Sequence, residues 1–327
     1  MSQCLKNPIS PAALTTGRPT PEMFPALREL WRIYFDDPEP IVDLIFQRLV
    51  RPETARVLTD GQGRPLSMLF LQPARLRLAG EPAPARPDCA YIYGVGTRPD
   101  QRGQGLASRL LEETALDLAG QTQNRVRALA LVPAGPKLVG YYSRLGFSEA
   151  FSHRVVQLTA DRLEKTGSAA PFSPTCRLTP RRLADLADLR DRSLTDSPLA
   201  LLWERDFLEA VNEECRLYQG EVLHFETPGA EGYLVHYWDG GAVLIKEYVE
   251  LPKLTRPAGP AGVSPLPAVL AALHRRLGAA RYTLRLRPDH PSPLPGELAP
   301  FGMIRLLDGS GLALSGQSPG YLAHALD

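Results

Sequence analysis

The stretch from 91 to 111 constrains the fold more than any other. It reads Tyr-Ile-Tyr-Gly-Val-Gly-Thr-Arg-Pro-Asp-Gln-Arg-Gly-Gln-Gly-Leu-Ala-Ser-Arg-Leu-Leu. An apolar strand runs into a turn, then a glycine loop, then an amphipathic helix. Gly103 and Gly105 let backbone N–H groups turn inward toward one point, and the following helix adds its own unpaired N-terminal donors there. Such an arrangement suits a phosphate group. Leu106, Ala107, Leu110, Leu111, Ala115 and Leu118 share one helical face, and Gly120 stands where that helix should stop.

An apolar run at 127–132 predicts a strand buried on both faces, and residues 137–145 a short helix closed by Gly146 and Phe147. The two segments Arg102-Gly-Gln-Gly-Leu-Ala107 and Tyr141-Tyr-Ser-Arg-Leu-Gly-Phe147 lie about 40 residues apart, the length of one strand–helix–strand–helix unit. In that order they resemble the two signatures of the GNAT N-acetyltransferase superfamily. The resemblance implies an α/β (α+β) GNAT fold: a mixed central sheet with splayed parallel strands, flanked by helices. It implies acetyl-CoA as acyl donor, with Arg102, Gly103, Gln104, Gly105, Leu106, Ala107 and Ser108 around the pyrophosphate. Val95, Gly96 and Thr97 match the strand residues whose main chain pairs with the pantetheine arm. Gly94 and Gly96 fit this, because glycine inside a strand marks a bulge or a close backbone approach.

An amine attacking an acetyl thioester builds charge on the carbonyl oxygen and then expels a thiolate, so the reaction calls for backbone donors and a proton source. Tyr142 occupies the family's general-acid position. A phenol of pKa about 10 protonates a thiolate of about 8.5 at a modest penalty. Tyr141 is expected to be a packing aromatic. Many family members carry a glutamate near the position of Tyr93 as general base, and this chain has no carboxylate between Cys89 and Thr97. Asp36, Asp37, Glu39 and Asp43 are candidates by position alone, and none is assigned.

Upstream, apolar spacing predicts helices over 24–35 and 41–49, strands over 55–59 and 65–72 joined by a turn, and a polar, proline-rich connection over 79–88. In the family those two helices and their loop cover the acceptor site.

A chain of 327 residues with formal net charge +1 suggests two domains and points to neither nucleic acid nor an anionic membrane as partner. Arg285 and Arg287 read as a solvated face. No apolar run reaches the ~20 residues of a membrane span. Four cysteines without metal spacing and six scattered histidines predict no metal and a reduced, cytoplasmic protein.

A linker is read at 166–174, around Ser-Ala-Ala-Pro-Phe-Ser-Pro, dividing a GNAT domain (1–165) from a second domain (175–327). The second half echoes the first. A strand over 242–250 follows a Trp238-Asp-Gly-Gly turn. A helix over 265–277 comes next, capped by Ser264 and stopped by Gly278, and then an alternating strand over 281–287. That order repeats residues 89–132 about 150 positions later. We read it as a smaller GNAT-like domain lacking the CoA loop. Pro252, Pro257 and Pro260 remove donors that loop would need, and five prolines in 288–300 leave no place for an equivalent of helix 137–145. An unrelated α+β domain is the competing reading. The closing segments 301–305 and 321–327 resemble the ends of bacterial tandem members.

Three functions stay open on the sequence: an N-acetyltransferase for a primary amine of a small molecule or protein, a non-catalytic acyl-CoA-binding sensor or scaffold, and an enzyme transferring longer acyl groups or acting on oxygen. A homodimer is compatible with each.

Overall fold

The computed structural model describes residues 14–121, 125–168, 176–253, 264–307 and 319–324. In the first half, β1 (Thr15–Gly17), α1 (Phe24–Tyr34) and α2 (Glu39–Leu44) precede β2 (Ala55–Thr59) and β3 (Pro65–Leu78). Next come β4 (Cys89–Thr97), α3 (Leu106–Ala119), β5 (Ala128–Leu131), α4 (Pro136–Ser143), β6 (Ser148–Thr159) and α5 (Ala160–Ser168). The second half runs β7 (Arg177–Pro180), α6 (Ala187–Ser193), β8 (Leu199–Trp203), α7 (Arg205–Leu217), β9 (Glu221–Glu226), β10 (Ala230–Asp239), β11 (Ala242–Pro252), α8 (Leu266–Leu277), β12 (Arg281–Leu286) and β13 (Glu297–Leu306).

Local sequence explains most of these elements. Pro25 and Pro40 stand in the first turns of α1 and α2, where a missing N–H is harmless. The helix expected over 41–49 is regular only to Leu44. Ile45–Leu49 forms a π-helical turn, closed by the Val50 amide donating to the Ile45 carbonyl at 3.0 Å. Gly240 and Gly241, with φ of 50° and 100°, make the tight turn between β10 and β11. Ser264 Oγ accepts the Leu266 amide at the start of α8 (3.2 Å), and Gly278 ends that helix in the left-handed region. The expected linker falls partly on a helix. Residues 166–168 are the last turn of α5, a helix that packs on α8, and 169–175 lie outside the described residues, as does the stretch 254–263 of the proline-rich loop.

The sheet joins the two halves. Its order is β1-β2-β3-β4-β5-β13-β6-β12-β11-β10-β9-β7, with β8 pairing separately to β3. β13, from the end of the chain, enters between β5 and β6. Met303 stands opposite Leu131 on one side and Glu149 on the other. β6 in turn pairs with β12, Val156 facing Leu284. Each half thus closes the other's sheet. The parallel pairs are β4–β5, in register from Cys89/Ala128 to Ile92/Leu131, and β11–β12, from Ala242/Arg281 to Ile245/Leu284. In both cases the first strand runs on past the paired segment, so the strands splay.

The echo read in the second half is therefore a repeat of topology. Its centre is a buried ionic cluster. Glu247 is fully enclosed and accepts from Arg190 Nε (2.9 Å) and Tyr233 Oη (2.7 Å), with His324 Nε2 at 2.8 Å. Burial acts to raise the Glu247 carboxyl, but Arg190 and then His324 overcome it and hold the group at about 2. Arg285 and Arg287 do not form a free solvated face. Arg285 lies over the Phe301 ring at 5.2 Å, and Arg287 binds Asp289 and the Ser193 carbonyl.

Candidate active site

The glycine loop and the strand before it form one open edge. Gly105, at φ 74°, is the N-cap of α3, and Gly103 has φ 79°. The amides of Leu106, Ala107 and Ser108 are the first of that helix and have no intrahelical acceptor. A Cβ on either glycine would meet nothing within 4 Å, so glycine is there for backbone conformation and approach, not for packing. Arg102 Nε donates to the Tyr34 hydroxyl (2.6 Å), which itself donates to the Thr97 carbonyl, tying the loop to α1. Ser108 Oγ donates to the Tyr141 hydroxyl at 3.1 Å.

β4 carries the expected bulge. Its register against β3 slips between Gly96/Met68 and Tyr93/Phe70, and Gly94 has φ 62°. A side chain at Gly94 would strike Trp31 and Phe70 at 2.5 and 2.6 Å. Residues 93–97 lie beyond the end of β5, so their edge facing β5 has no strand partner. The carbonyls of Gly96 and Thr97 are met by Ser67 Oγ (2.9 Å) and Tyr34 Oη.

Where β4 and β5 part, a cavity of about 490 Å³ opens. Tyr93, Gly94 and Val95 form one wall, Val132, Pro133 and Ala134 another, and Tyr142 from α4 lines it between them. Tyr141 points elsewhere, half-buried against α3, so the neighbouring tyrosines have separate environments. Burial, followed by the nearby Tyr141, pushes the Tyr142 phenol up to about 12. This exceeds the value near 10 expected from sequence, so Tyr142 is the weaker acid.

Residues 17–150 match the Acetyltransferase (GNAT) domain family. A comparison with curated proteins finds no significant sequence relative. Among solved structures, the chain is similar to a GCN5-related N-acetyltransferase from Kribbella flavida, at 17% identity and TM-score 0.65, over 90% of this chain and 72% of that one. A probable N-acyltransferase from Enterococcus faecalis V583 gives 16% and 0.67 over 90% and 73%. A tandem GNAT protein from the clavulanic acid biosynthesis pathway gives 12% and 0.51 over 90% and 98%. These likenesses carry the fold through both halves.

Beyond the GNAT domain, the cavity has walls the motifs did not announce. Ala210, Glu214 and Tyr218 reach it from α7 and its end, spaced four residues apart on one helical face, and Pro300 and Phe301 reach it from β13. Glu214 is 7% exposed. Its Oε2 accepts from Tyr237 Oη (3.0 Å), and Lys246 Nζ lies 3.6 Å from Oε1. A carboxylate on the apolar stripe of α7 was the one signal in the sequence. Of the four acids weighed by position, Asp37 alone lines the cavity, held by Trp31 Nε1 at 2.9 Å. Glu39 and Asp43 both bind Arg28, and Arg32, then Arg28, hold Glu39 at about 2. Asp36 is exposed. Among the described residues, no helix is long and apolar enough to cross a membrane.

Proposed function

We propose that this chain is an acetyl-CoA-dependent N-acetyltransferase acting on a primary amine by direct attack in a ternary complex. The observation that carries the reading is Tyr142 lining a cavity that opens where β4 leaves β5, beside the unpartnered edge of β4. The residues fit the donor. The left-handed glycines at 103 and 105 and the free amides of α3 suit a pyrophosphate, with Arg102 and Gln104 on the same loop. The open edge at Val95, Gly96 and Thr97 suits an extended amide-bearing arm. Bound acetyl-CoA supplies an electrophilic thioester. The amine nitrogen bonds to the carbonyl carbon, the carbon–sulfur bond breaks, Tyr142 gives its proton to the sulfur, and the nitrogen's proton leaves to a carboxylate or to solvent. Asp37 is the favoured carboxylate of the first half, because it lines the cavity.

A proton-donating phenol facing the cavity favours an enzyme over a sensor, which has no use for one. The apolar lining keeps transfer of longer acyl groups as the second reading. Buried, unpaired Cys89, Cys176 and Cys215 fit a reducing compartment. The test is free-thiol release from acetyl-CoA in the presence of an amine library, alongside thermal shift. Amine-dependent thiol release supports the reading. A thermal shift without release from any amine overturns it in favour of a sensor.

A further inference from the structure

The cavity beside Tyr142 draws on both halves of the molecule, and its lining describes the acceptor. Asp37 arrives from the end of α1, and Glu214 from α7 across the junction. Tyr218 lines the cavity with them, and its phenol is raised first by burial and next by the negative charges of these two carboxylates. Lys246 stands behind Glu214 and offsets part of its charge. The other nearby acids, Glu39 and Asp43, are engaged by Arg28 and Arg32. What remains suits one ammonium group rather than several.

Apart from Tyr91, Tyr93, Tyr142 and Tyr218, the rest of the lining is apolar. Trp31, Phe35, Ile41, Ile45 and Phe301 face the same space. A polyamine placed there would bury a second ammonium with no further carboxylate among the described lining residues to meet it. The Tyr93 ring also lines this cavity, and its enclosed hydroxyl has no hydrogen-bond partner among the described residues. A volume of about 490 Å³ falls within the range of small-molecule sites.

We infer that the acceptor is a small primary amine bearing one cationic centre on an apolar, aromatic or branched body, its ammonium bracketed by Asp37 and Glu214 and its body held against Trp31 and Phe301. The inference rests on the acetyltransferase reading above and narrows it. The second half is then a specificity element for the chemistry of the first. Glu214 positions the amine, and the thioester chemistry stays with Tyr142.

The test uses the full chain with acetyl-CoA and three probes: phenethylamine, spermidine and phenethyl alcohol. Thiol release with phenethylamine should exceed that with spermidine by about 100-fold in kcat/KM, since a second ammonium would be buried unpaired, and the alcohol should give little. Glu214→Gln should raise KM for phenethylamine about tenfold through loss of a charged hydrogen bond, leaving KM for acetyl-CoA unchanged. Phe301→Ala should raise the same KM without touching a charge, and it keeps the test decisive if the buried Glu214 variant fails to fold. Equal or better use of spermidine would overturn the inference while leaving the acetyltransferase reading intact, as would unchanged amine KM in both variants. Absence of thiol release with every amine, despite a thermal shift by acetyl-CoA, would remove the acetyltransferase reading and this inference with it.

Discussion

The two parallel strand pairs begin alike and end in opposite ways. Each holds register for four residues and then splays. After Ile92 the first gap widens into a cavity, because Gly94 and Gly96 add no side chains and the bulge turns the strand away from β5. After Ile245 the second gap is knitted shut. Glu250 Oε2 accepts from Tyr248 Oη (2.7 Å) and from Ser264 Oγ at the start of α8 (2.9 Å). His290, just past β12, lies across from it with Nε2 3.6 Å from Glu250 Oε1. Tyr248 and His290 are 1% and 6% exposed, their rings edge to face. The same topology makes a cavity when the splayed positions carry glycine, and a closed joint when they carry long side chains that fill the gap. The second half keeps the fold and uses it to hold α7 and β13 against the first half's cavity.

The sharpest way to break this contrast is a matched pair of tyrosine variants. Tyr142→Phe should lower turnover about 10²- to 10⁴-fold, the range of a lost general acid, with acetyl-CoA affinity nearly unchanged. Tyr248→Phe, in the closed second gap, should leave turnover within about twofold, because it lies outside the cavity that Tyr142 lines. Tyr141→Phe should also be close to neutral. A larger loss at Tyr141 than at Tyr142, measured as steady-state thiol release, would put the acid one residue away.

Next in size is stability held by the second half. Arg190→Met leaves Glu247 charged and enclosed, and should cost about 3–5 kcal/mol in denaturant unfolding. Because β6 and β13 are exchanged between halves, the loss should appear in one transition of the whole chain. Two separated transitions would argue that the halves are energetically independent.

A pH dependence of similar scale follows from His236, which is 1% exposed with neither ring nitrogen bonded. Burial lowers its pKa from 6.5 to about 4. The unfolded chain therefore binds the proton more readily below pH 6.5. Stability is complete above that value and falls by about 3 kcal/mol as pH drops to about 4. His236→Phe should flatten urea midpoints across this window, and an unchanged slope would remove His236 as the cause.

The smallest effect concerns the loops. Gly105→Val places a branched residue at φ 74° and should weaken acetyl-CoA binding by at least about tenfold, read by calorimetry at one equivalent per parent chain. Ser264→Ala, at the corresponding helix start of the second half, should leave both affinity and stoichiometry unchanged. Two equivalents per chain would show the second gap to be a working site.

Sequence alone determined what depends on neighbours within a few residues. The glycine loop, the bulge at Gly94 and the helix start at Gly105 were legible because backbone conformation and a short motif specify them. So were the helix over 266–277 and its Gly278 stop. The reach of β13 into the first sheet was not legible, nor was the arrival of Glu214, Tyr218 and Phe301 at the cavity. Local periodicity reports which face of an element is apolar, but not which of several apolar faces it meets. Charged residues misled in the same way. Arg285 and Arg287 read as a solvated face, yet the first lies over the Phe301 ring and the second binds Asp289 and the Ser193 carbonyl, with Phe301 and Ser193 arriving from other segments. The tertiary structure decided the far walls of the cavity, since they are assembled from segments that come together only once the two halves trade strands.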